Sequence, residues 1–308
     1  MSGVRRVLVV GLGTIAQTHL AVLAQRPDAT VVAGVDPVVD DAPFPVFRSL
    51  SVALEREPEP DLVVVASPTD THVALVRQAT AGCEALVLSE KPLATTRAEI
   101  DDLGDVADRV RVAHHFAFSP EVEWARRHVA SAGWGRPTRV LSTFHDAYSH
   151  LPAVRRASLV SSWVDTGPNQ LSFLVPFVGR CQLVSHADEG DRAVTVLDHD
   201  GGRTVLTSNW LAADSSKQTS LLWGGHREVR LDHSSLTVTV IQDGEVTEHV
   251  GYAGSVGRKE AHYRGLYDVL LTDPADARLG VPLAADIARV LEASVTAAPG
   301  TVRWSELG

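Results

Sequence analysis

The stretch Ser89–Thr96 reads SEKPLATT and places an acid, a base and a proline directly behind an apolar run. Lys91 can exchange a proton near neutral pH if partial burial or a nearby positive charge lowers its pKa from about 10.4. Pro92 restricts the residue before it to extended backbone angles and so fixes where the side chain of Lys91 begins. The alternative is a solvated Glu90–Lys91 pair in front of a helix that starts with the capping box Thr96–Glu99. Lys91 is the first candidate for acid–base chemistry.

A glycine turn near the start of the chain is the candidate for a nucleotide site. Gly11 and Gly13, in GLGTIA, follow an apolar run, and Thr14 and Ile15 open a helix. The first glycine allows a tight turn, the second lets the backbone approach a pyrophosphate, and the helix N-terminus attracts its charge. Asp36 ends the next apolar run, where a carboxylate binds the hydroxyls of an adenosine ribose. Together these features predict a dinucleotide site.

Asp36 also bears on the choice between NAD and NADP. A 2′-phosphate about 4 Å from this carboxylate would be repelled by about 4 kcal/mol for unit charges at an effective dielectric of about 20. The next residues, Pro37, Val38 and Val39, carry no positive charge, and no Arg or Lys is expected nearby. The sequence therefore favours NAD, with NADP left open. The alternative for Asp36 is a turn residue in front of a proline.

Apolar runs alternate with helical periodicity over the first 118 residues. The runs are apolar on both faces, which is typical of parallel strands covered by helices on both sides. We expect strands at 7–10, 30–35, 62–66, 85–88 and 110–113, and helices at 15–25, 71–81 and 100–107. This pattern predicts an α/β fold in which residues 1–118 form a Rossmann-type, doubly wound parallel sheet that binds a dinucleotide.

Residues 119–308 follow a different pattern, in which apolar and polar residues alternate as in strands with one face in water. The pairs Asp200–Gly201 and Asp243–Gly244 are typical of short hairpin turns. We expect strands at 193–197, 203–207, 228–231, 236–241 and 245–250, and helices at 121–130, 259–271 and 283–298. This half is predicted to be an α+β domain with an open, mostly antiparallel sheet for substrate binding and oligomerisation.

Composition excludes several classes of partner. The chain has 308 residues, a net charge of −10 and a pI near 5.7, so it lacks the basic surface that binds nucleic acid. No stretch approaches the about 20 apolar residues of a membrane span. Cys83 and Cys181 are isolated, and the histidines show no metal-ligand spacing. We expect a cytoplasmic protein with a small-molecule substrate and no metal.

Three segments resemble the glucose-fructose oxidoreductase, inositol dehydrogenase and rhizopine-catabolism family (Gfo/Idh/MocA): GLGTIA, ASPTDTH with AGCEALVLSEKPLATT, and SSWVDTGPNQLSFL. The resemblance implies an NAD(P)-dependent oxidoreductase that forms a dimer or tetramer and carries its substrate pocket on the second-half sheet. It implies that Lys91 lies beside the nicotinamide as acid or base. It also implies that Ser67, Thr69, His72 and Glu90 border the cofactor. His72 could equally pack against its own helix, and Glu90 could merely fix the loop.

The substrate-side candidates are Asp165 and Asn169, four residues apart and therefore on one face of a helix. Pro168 is expected within the first helical turn, which would place both polar groups at the helix entry. The family commonly has histidine where Asn169 stands, and the departure resembles its aldose 1-dehydrogenases. The resemblance implies that Asp165 orients the reacting hydroxyl or Lys91, and that Asn169 binds a neighbouring hydroxyl. The alternative makes Asp165 a helix N-cap and Asn169 a surface amide.

Further candidates for substrate contact are a histidine and several aromatic residues. His115 follows the last strand of the first half, in a segment that resembles one running alongside the nicotinamide. Trp163, and Tyr148 with His145 and His150, could line a sugar pocket, although core packing explains them equally well. The sequence thus predicts an oxidoreductase for a hydroxyl or carbonyl group of a sugar or polyol. A keto- or imine-reductase and a non-catalytic regulator that binds NAD and sugar are the alternatives.

Overall fold

The computed structural model describes residues 3–57, 59–94, 96–152, 156, 159–252, 254 and 256–296. Two compact units make up the chain. The first consists of the segment up to His114 together with Leu266–Ala288, and the second of His115–Gly265 with the residues from Arg289 onward.

The first unit contains a six-stranded parallel sheet, which confirms the predicted fold class. The strand order is β3-β2-β1-β4-β5-β6, so the connections change direction between β1 and β4. The strand β3 was not predicted because two residues carry no periodicity. The strands are β1 (Arg5–Val10), β2 (Ala29–Val35), β3 (Val46–Phe47), β4 (Leu62–Val65), β5 (Leu86–Glu90) and β6 (Val110–Ala113).

Helices cover this sheet, and the hydrophobic core lies where they pack against it. They are α1 (Thr14–Leu23), α2 (Leu50–Arg56), α3 (His72–Gly82) and α4 (Arg97–Asp101). The predicted capping box at Thr96 and Glu99 is present. The prediction of a single helix at 100–107 is wrong. The helix α4 ends at Asp101, and a separate 3₁₀ turn, Gly104–Arg109, begins at a glycine with φ of +47°. The buried side chains of the central strands each contribute about 1.5–3 kcal/mol to stability.

The second unit contains an eight-stranded sheet of order β14-β13-β12-β11-β7-β10-β9-β8. Every neighbouring pair is antiparallel except β7 with β10. Both predicted hairpins are present, and Asp243 and Gly244 have the positive φ angles of a type I′ turn. The strands are β7 (Arg139–Ala147), β8 (Cys181–Asp188), β9 (Arg192–His199), β10 (Gly202–Asn209), β11 (Leu211–Trp223), β12 (Arg227–Asp232), β13 (Thr237–Gln242) and β14 (Glu245–Gly251). The sequence did not predict β7, β8 and β11.

The remaining helices are α5 (Pro120–Ser131), α6 (Ser162–Val178), α7 (Arg258–Thr272) and α8 (Val281–Thr296). The expectation that Pro168 lies in the first turn of its helix is wrong. Ser161 caps α6 by accepting a hydrogen bond from the N–H of Val164, so the helix begins well before Pro168. A proline inside a helix costs about 3 kcal/mol, which the burial of most of the side chains of α6 offsets. None of the described helices is long and apolar enough to cross a membrane.

A chain of buried polar side chains fixes α6 on the sheet of the second unit. Gln170 on α6 donates to Ser142 Oγ at 3.0 Å, and Ser142 Oγ lies 2.9 Å from Thr219 Oγ1. The chain continues to His233 at 3.0 Å and from there to Glu121 at 2.8 Å. Each buried group would be costly if it were unpaired, so the network holds α6 in one register. It therefore sets the position of Asp165 and Asn169, which precede Gln170 on the same helix.

Candidate functional site

The glycine turn after β1 has the geometry that a pyrophosphate requires. Gly11 has a φ of +84°, and a Cβ atom there would lie 2.7 Å from the backbone N of Ser67, so only glycine fits. Gly13 is the N-cap of α1, and a Cβ atom there would meet nothing within 4 Å. The first turn of α1, which begins with Thr14 and Ile15, has neither a side-chain cap nor an acidic residue. The helix N-terminus thus faces open space, which fits an anionic group of a dinucleotide.

Asp36 follows β2 and organises the adjoining loops. Its Oδ2 accepts from the N–H of Leu12 at 2.9 Å, and its Oδ1 accepts from the N–H groups of Val38 and Val39 at 2.8 Å each. Burial opposes ionisation, but these three bonds and the nearby Arg48 outweigh it and lower the pKa of Asp36. A carboxylate has about four acceptor positions, so capacity is left for a ribose hydroxyl.

The expectation that no Arg or Lys lies near Asp36 is wrong. Arg48 comes from the loop after β3, and its Nη1 lies 3.4 Å from the backbone oxygen of Asp36. The guanidinium also bonds the carbonyl of Val39 at 3.3 Å and the carboxylate of Asp40 at 3.1 Å. The tertiary fold brings this charge to the loop from twelve residues away, so the residues that follow Asp36 gave no sign of it. The electrostatic case for NAD over NADP is weaker than the sequence alone indicated.

The loop after β4 carries the predicted cofactor-border residues. Ser67 Oγ lies 2.7 Å from Thr71 Oγ1, and Thr69 begins the short 3₁₀ turn in front of α3. His72 is 1% exposed, and its ring nitrogens lie 2.8 Å and 2.9 Å from the carbonyl oxygens of Pro92 and Ser67. This placement agrees with the packing alternative for His72, since the ring joins the loops after β4 and β5. Ser67 and Thr69 are partly exposed beside the glycine turn.

Glu90 ends β5 and Lys91 follows it, and Glu90 is buried rather than solvated. Its Oε1 lies 3.0 Å from Nε2 of His19, whose Nδ1 lies 2.8 Å from the hydroxyl of Tyr267. Its Oε2 accepts the backbone N–H of Lys91 at 3.2 Å. Burial, reinforced by the charge of Glu90, raises the pKa of Tyr267, so this phenol stays a hydrogen-bond donor. The acid beside Lys91 thus fixes the backbone from which the lysine side chain starts.

His114 lies next to this pair at the end of β6. Strand pairing sets Glu90 opposite Ala113, the residue before it. The ring of His114 is 2% exposed, and neither ring nitrogen has a hydrogen-bond partner within the described residues. Burial lowers the pKa of His114 to about 3, with Lys91 acting in the same direction and Glu90 opposing. His114 is therefore a neutral imidazole at the carboxyl edge of the parallel sheet. The sequence analysis had named its neighbour, His115, as the candidate for substrate contact.

In the second unit, Asp165 lies in the first turn of α6 and Asn169 one turn further on. They share one face, as predicted, and the side-chain amide of Asn169 donates to the backbone carbonyl of Asp165 at 3.4 Å. Asp165 is not the N-cap, because Ser161 fills that position. A Cβ atom on Gly167 would lie 2.7 Å from the indole ring of Trp163, so this glycine gives the ring room to pack against the helix.

The structure separates the other substrate-side candidates. Trp163 is 1% exposed and donates its indole N–H to Ser294 Oγ at 2.8 Å, so it belongs to the core and not to a ligand surface. His115 is also buried, with Nδ1 3.1 Å from Nδ1 of His262. Tyr148 is partly exposed, and its ring centroid lies 5.8 Å from that of Trp210. Of the three, Tyr148 is the one with surface available to a ligand.

The sequence missed an ion pair in the sheet of the second unit. Lys217 on β11 is 6% exposed and forms a short salt bridge with Asp146 on β7. Burial lowers the pKa of Lys217 and Arg258 adds to the effect, whereas Asp146 and Asp165 oppose it. The alternation of side chains along the strand could have revealed this lysine, because Lys217 and Thr219 are two residues apart and point to the same, inward face. A charge on the inward face of a strand is unusual and often marks a site.

The parallel sheet and the glycine turn of the first unit define a class of fold: a Rossmann domain of the kind that binds a dinucleotide. Residues 5–118 match the oxidoreductase family with an NAD-binding Rossmann fold called Gfo/Idh/MocA. The match is confined to this region, and it identifies a dehydrogenase or reductase, as the sequence predicts. No curated protein sequence matches the chain significantly.

Solved structures share the whole fold. A myo-inositol dehydrogenase from Corynebacterium glutamicum is 18% identical with a TM-score of 0.79, and the match covers 96% of each chain. A UDP-N-acetylglucosamine 3-dehydrogenase from Acidithiobacillus ferrooxidans is 19% identical with a TM-score of 0.77, over 94% of this chain and 96% of the other. A 3-ketoreductase from Actinomadura kijaniata, solved with NADP and TDP-benzene, is 18% identical with a TM-score of 0.78, over 95% and 97%. At this identity the likeness establishes the fold alone.

Proposed function

We propose that the protein transfers a hydride between NAD and a hydroxyl or carbonyl carbon of a sugar or sugar-like polyol. The observation that carries the proposal is that Gly13, Asp36 and Lys91 follow the carboxyl ends of β1, β2 and β5 of one parallel sheet. Ligands of such sheets bind at this edge, where the strand order changes direction. A nucleotide site and an ionisable side chain at the same edge are what a dehydrogenase requires.

The residues of the first unit fit the dinucleotide. When bound, NAD supplies or accepts the hydride. The open N-terminus of α1 holds the pyrophosphate, and Gly13 lets the backbone approach it. Asp36 accepts a hydrogen bond from the adenosine ribose and repels a 2′-phosphate. Arg48 is already shared between Asp40 and two carbonyl oxygens, so we propose NAD as the preferred cofactor.

The proton is exchanged by Lys91. Oxidation of an alcohol requires that its hydroxyl proton be removed, and reduction of a carbonyl requires that one be supplied. Glu90 holds the backbone N–H of Lys91 and thereby limits where the ammonium group can reach. In the proposed reaction Asp165 orients the reacting hydroxyl, and Asn169 binds a neighbouring hydroxyl through its amide donor and acceptor.

A substrate panel with two lysine variants tests this proposal. Neutral and acidic sugars, polyols and the matching ketones are assayed with NAD and NADP in both directions by the absorbance of the reduced nicotinamide. We expect Lys91→Met to lower kcat by about 100- to 10,000-fold while NADH binding, followed by fluorescence, stays unchanged. Lys259→Met, at an exposed position of α7, is the matched control. Normal turnover by the Lys91 variant would refute the role of this lysine, and NADH binding without turnover of any substrate would favour a regulator.

A further inference from the structure

Arg258, the first residue of α7, carries a charge that the described residues do not neutralise. Its Nη1 is buried and has no hydrogen-bond partner there, and no carboxylate forms an ion pair with its guanidinium. Its guanidinium lies over the ring of Phe116, whose centroid is 5.8 Å from Cζ. Arginine has five N–H donors, and a shielded charge without a counterion is costly. This arrangement calls for an anion from outside the chain.

A second cation lies beside it. The ammonium group of Lys217 lies 5.3 Å from the ring centroid of Phe144, and the rings of Phe144 and Phe116 are 5.1 Å apart. Both rings are buried, so the two cations lie against one pair of packed aromatic rings. Asp146 neutralises Lys217 through its salt bridge, and Arg258 is left uncompensated. The positive charge that remains for an anion from outside the chain is therefore that of Arg258, in a setting where burial strengthens electrostatic attraction.

We propose that Arg258 binds an acidic group of the substrate, either a carboxylate or a phosphate. The inference rests on the proposed function and narrows its substrate class to acidic sugars or polyols. Guanidinium matches the paired oxygens of both groups through two parallel N–H···O bonds, which an ammonium group cannot do. Asp165 acts electrostatically on Lys217, so the acidic group lies near the residue assigned to the reacting hydroxyl.

The first experiment measures binding and not turnover. Calorimetric titrations of the NADH-saturated protein compare D-glucuronate and glucose 6-phosphate with glucose, and galacturonate with galactose. We expect at least one acidic probe to bind about tenfold or more tightly than its neutral counterpart, and the two acid types to show which group is preferred. A wild-type protein that binds no acidic probe better than its neutral counterpart overturns the proposal.

Substitutions of two arginines on α7 test whether Arg258 causes the tighter binding of acidic probes. Arg258→Gln should weaken the acidic probes by about 10- to 100-fold and leave the neutral sugars unchanged. Arg258→Lys, which keeps the charge without the fork, should lose part of the affinity. Arg264→Gln is the control, because Arg264 is a half-exposed arginine of the same helix that pairs with Glu260 at 2.9 Å. Circular dichroism checks that Arg258→Gln is folded. If the folded variant loses as much affinity for neutral probes as for acidic ones, the proposal is overturned.

Kinetics separate this inference from the proposed function. If an acidic substrate is turned over, Arg258→Gln should raise its KM while kcat stays near that of the wild type, since the lost contact exists before and during the reaction. If only neutral sugars are turned over and Arg258→Gln does not change their kinetics, the site for an acidic group is refuted. The proposed dehydrogenase function is then retained. Selective binding of acidic probes without hydride transfer to any of them supports the site and removes the proposed function.

Discussion

Gly11 and Gly13 should respond to alanine in opposite ways, although they lie in the same turn. In Gly11→Ala the left-handed backbone costs about 1–2 kcal/mol for a residue with a Cβ atom. The new methyl group would also lie 2.7 Å from the N of Ser67 and 2.8 Å from the carbonyl of Ala66, both backbone atoms. Such overpacking costs typically about 1–3 kcal/mol. We expect a loss of about 2–5 kcal/mol, a large part of the about 5–15 kcal/mol that stabilises a domain.

Gly13→Ala should leave stability almost unchanged. The backbone at Gly13 has a φ of −72°, which alanine adopts readily, and the methyl group would meet nothing within 4 Å. The reduced freedom of the unfolded chain stabilises by about 0.4–1 kcal/mol, and the poorer N-cap preference of alanine costs a similar amount. The methyl group nevertheless occupies the space through which a pyrophosphate approaches the backbone. We expect NADH to bind at least about tenfold more weakly, which is about 1.4 kcal/mol.

Two measurements on the same samples decide this prediction. Urea denaturation followed by circular dichroism gives the free energy of unfolding, and fluorescence titration gives the dissociation constant for NADH. A stable Gly13→Ala protein that binds NADH as the wild type does would show that the turn is structural only. A Gly11→Ala protein with wild-type stability would contradict the steric argument at that glycine.

Three further predictions concern the charged and buried groups of the first unit and one histidine of the second. Asp36→Ser should lower the ratio of NADH to NADPH affinity by about tenfold or more in fluorescence titrations, because the carboxylate no longer repels the 2′-phosphate; an unchanged ratio would remove Asp36 from cofactor selection. Tyr267→Phe should cost about 1–3 kcal/mol in urea denaturation, because Nδ1 of His19 loses its partner. His114 and His262 have pKa values of about 3 in the folded protein, whereas in the unfolded chain both take up protons below pH 6.5. Each should therefore lower the free energy of unfolding by about 1.4 kcal/mol for every pH unit below 6.5. Replacing His114 with Gln should make the decline with pH shallower, and an unchanged slope would contradict its burial as a neutral ring.

The strands that were predicted and those that were missed differ in what they bury. The parallel strands are continuous apolar runs because both of their faces are covered, so their positions are readable from hydrophobicity alone. In β7 the inward residues are Val140, Ser142, Phe144 and Asp146, and half of them are polar. Ser142 and Asp146 are acceptable there because Thr219 and Lys217 of β11 provide partners. A sheet face that carries a polar network hides the alternation on which strand prediction depends.

The candidate site divides in the same way. Local motifs were sufficient for the glycine turn, and they placed Asp36 and Lys91 at strand ends. The partner of Glu90 is His19, 71 residues earlier in the chain, and no local spacing connects the two. Arg48 likewise reaches the loop of Asp36 from outside the motif. Long-range side-chain pairs follow from the packing of whole elements, so sequence periodicity cannot reveal them.

Several other polar groups of the two units are poorly suited to proton transfer. Asn169 stands where the family commonly has a histidine, and an amide does not titrate. His262 and His114 are neutral rings whose low pKa values make them poor bases. Lys217 is held in a salt bridge with Asp146, so loss of its proton would leave a buried carboxylate without its counterion. Lys91 follows β5, and Glu90 accepts its backbone N–H, which fixes where the side chain assigned to proton exchange begins.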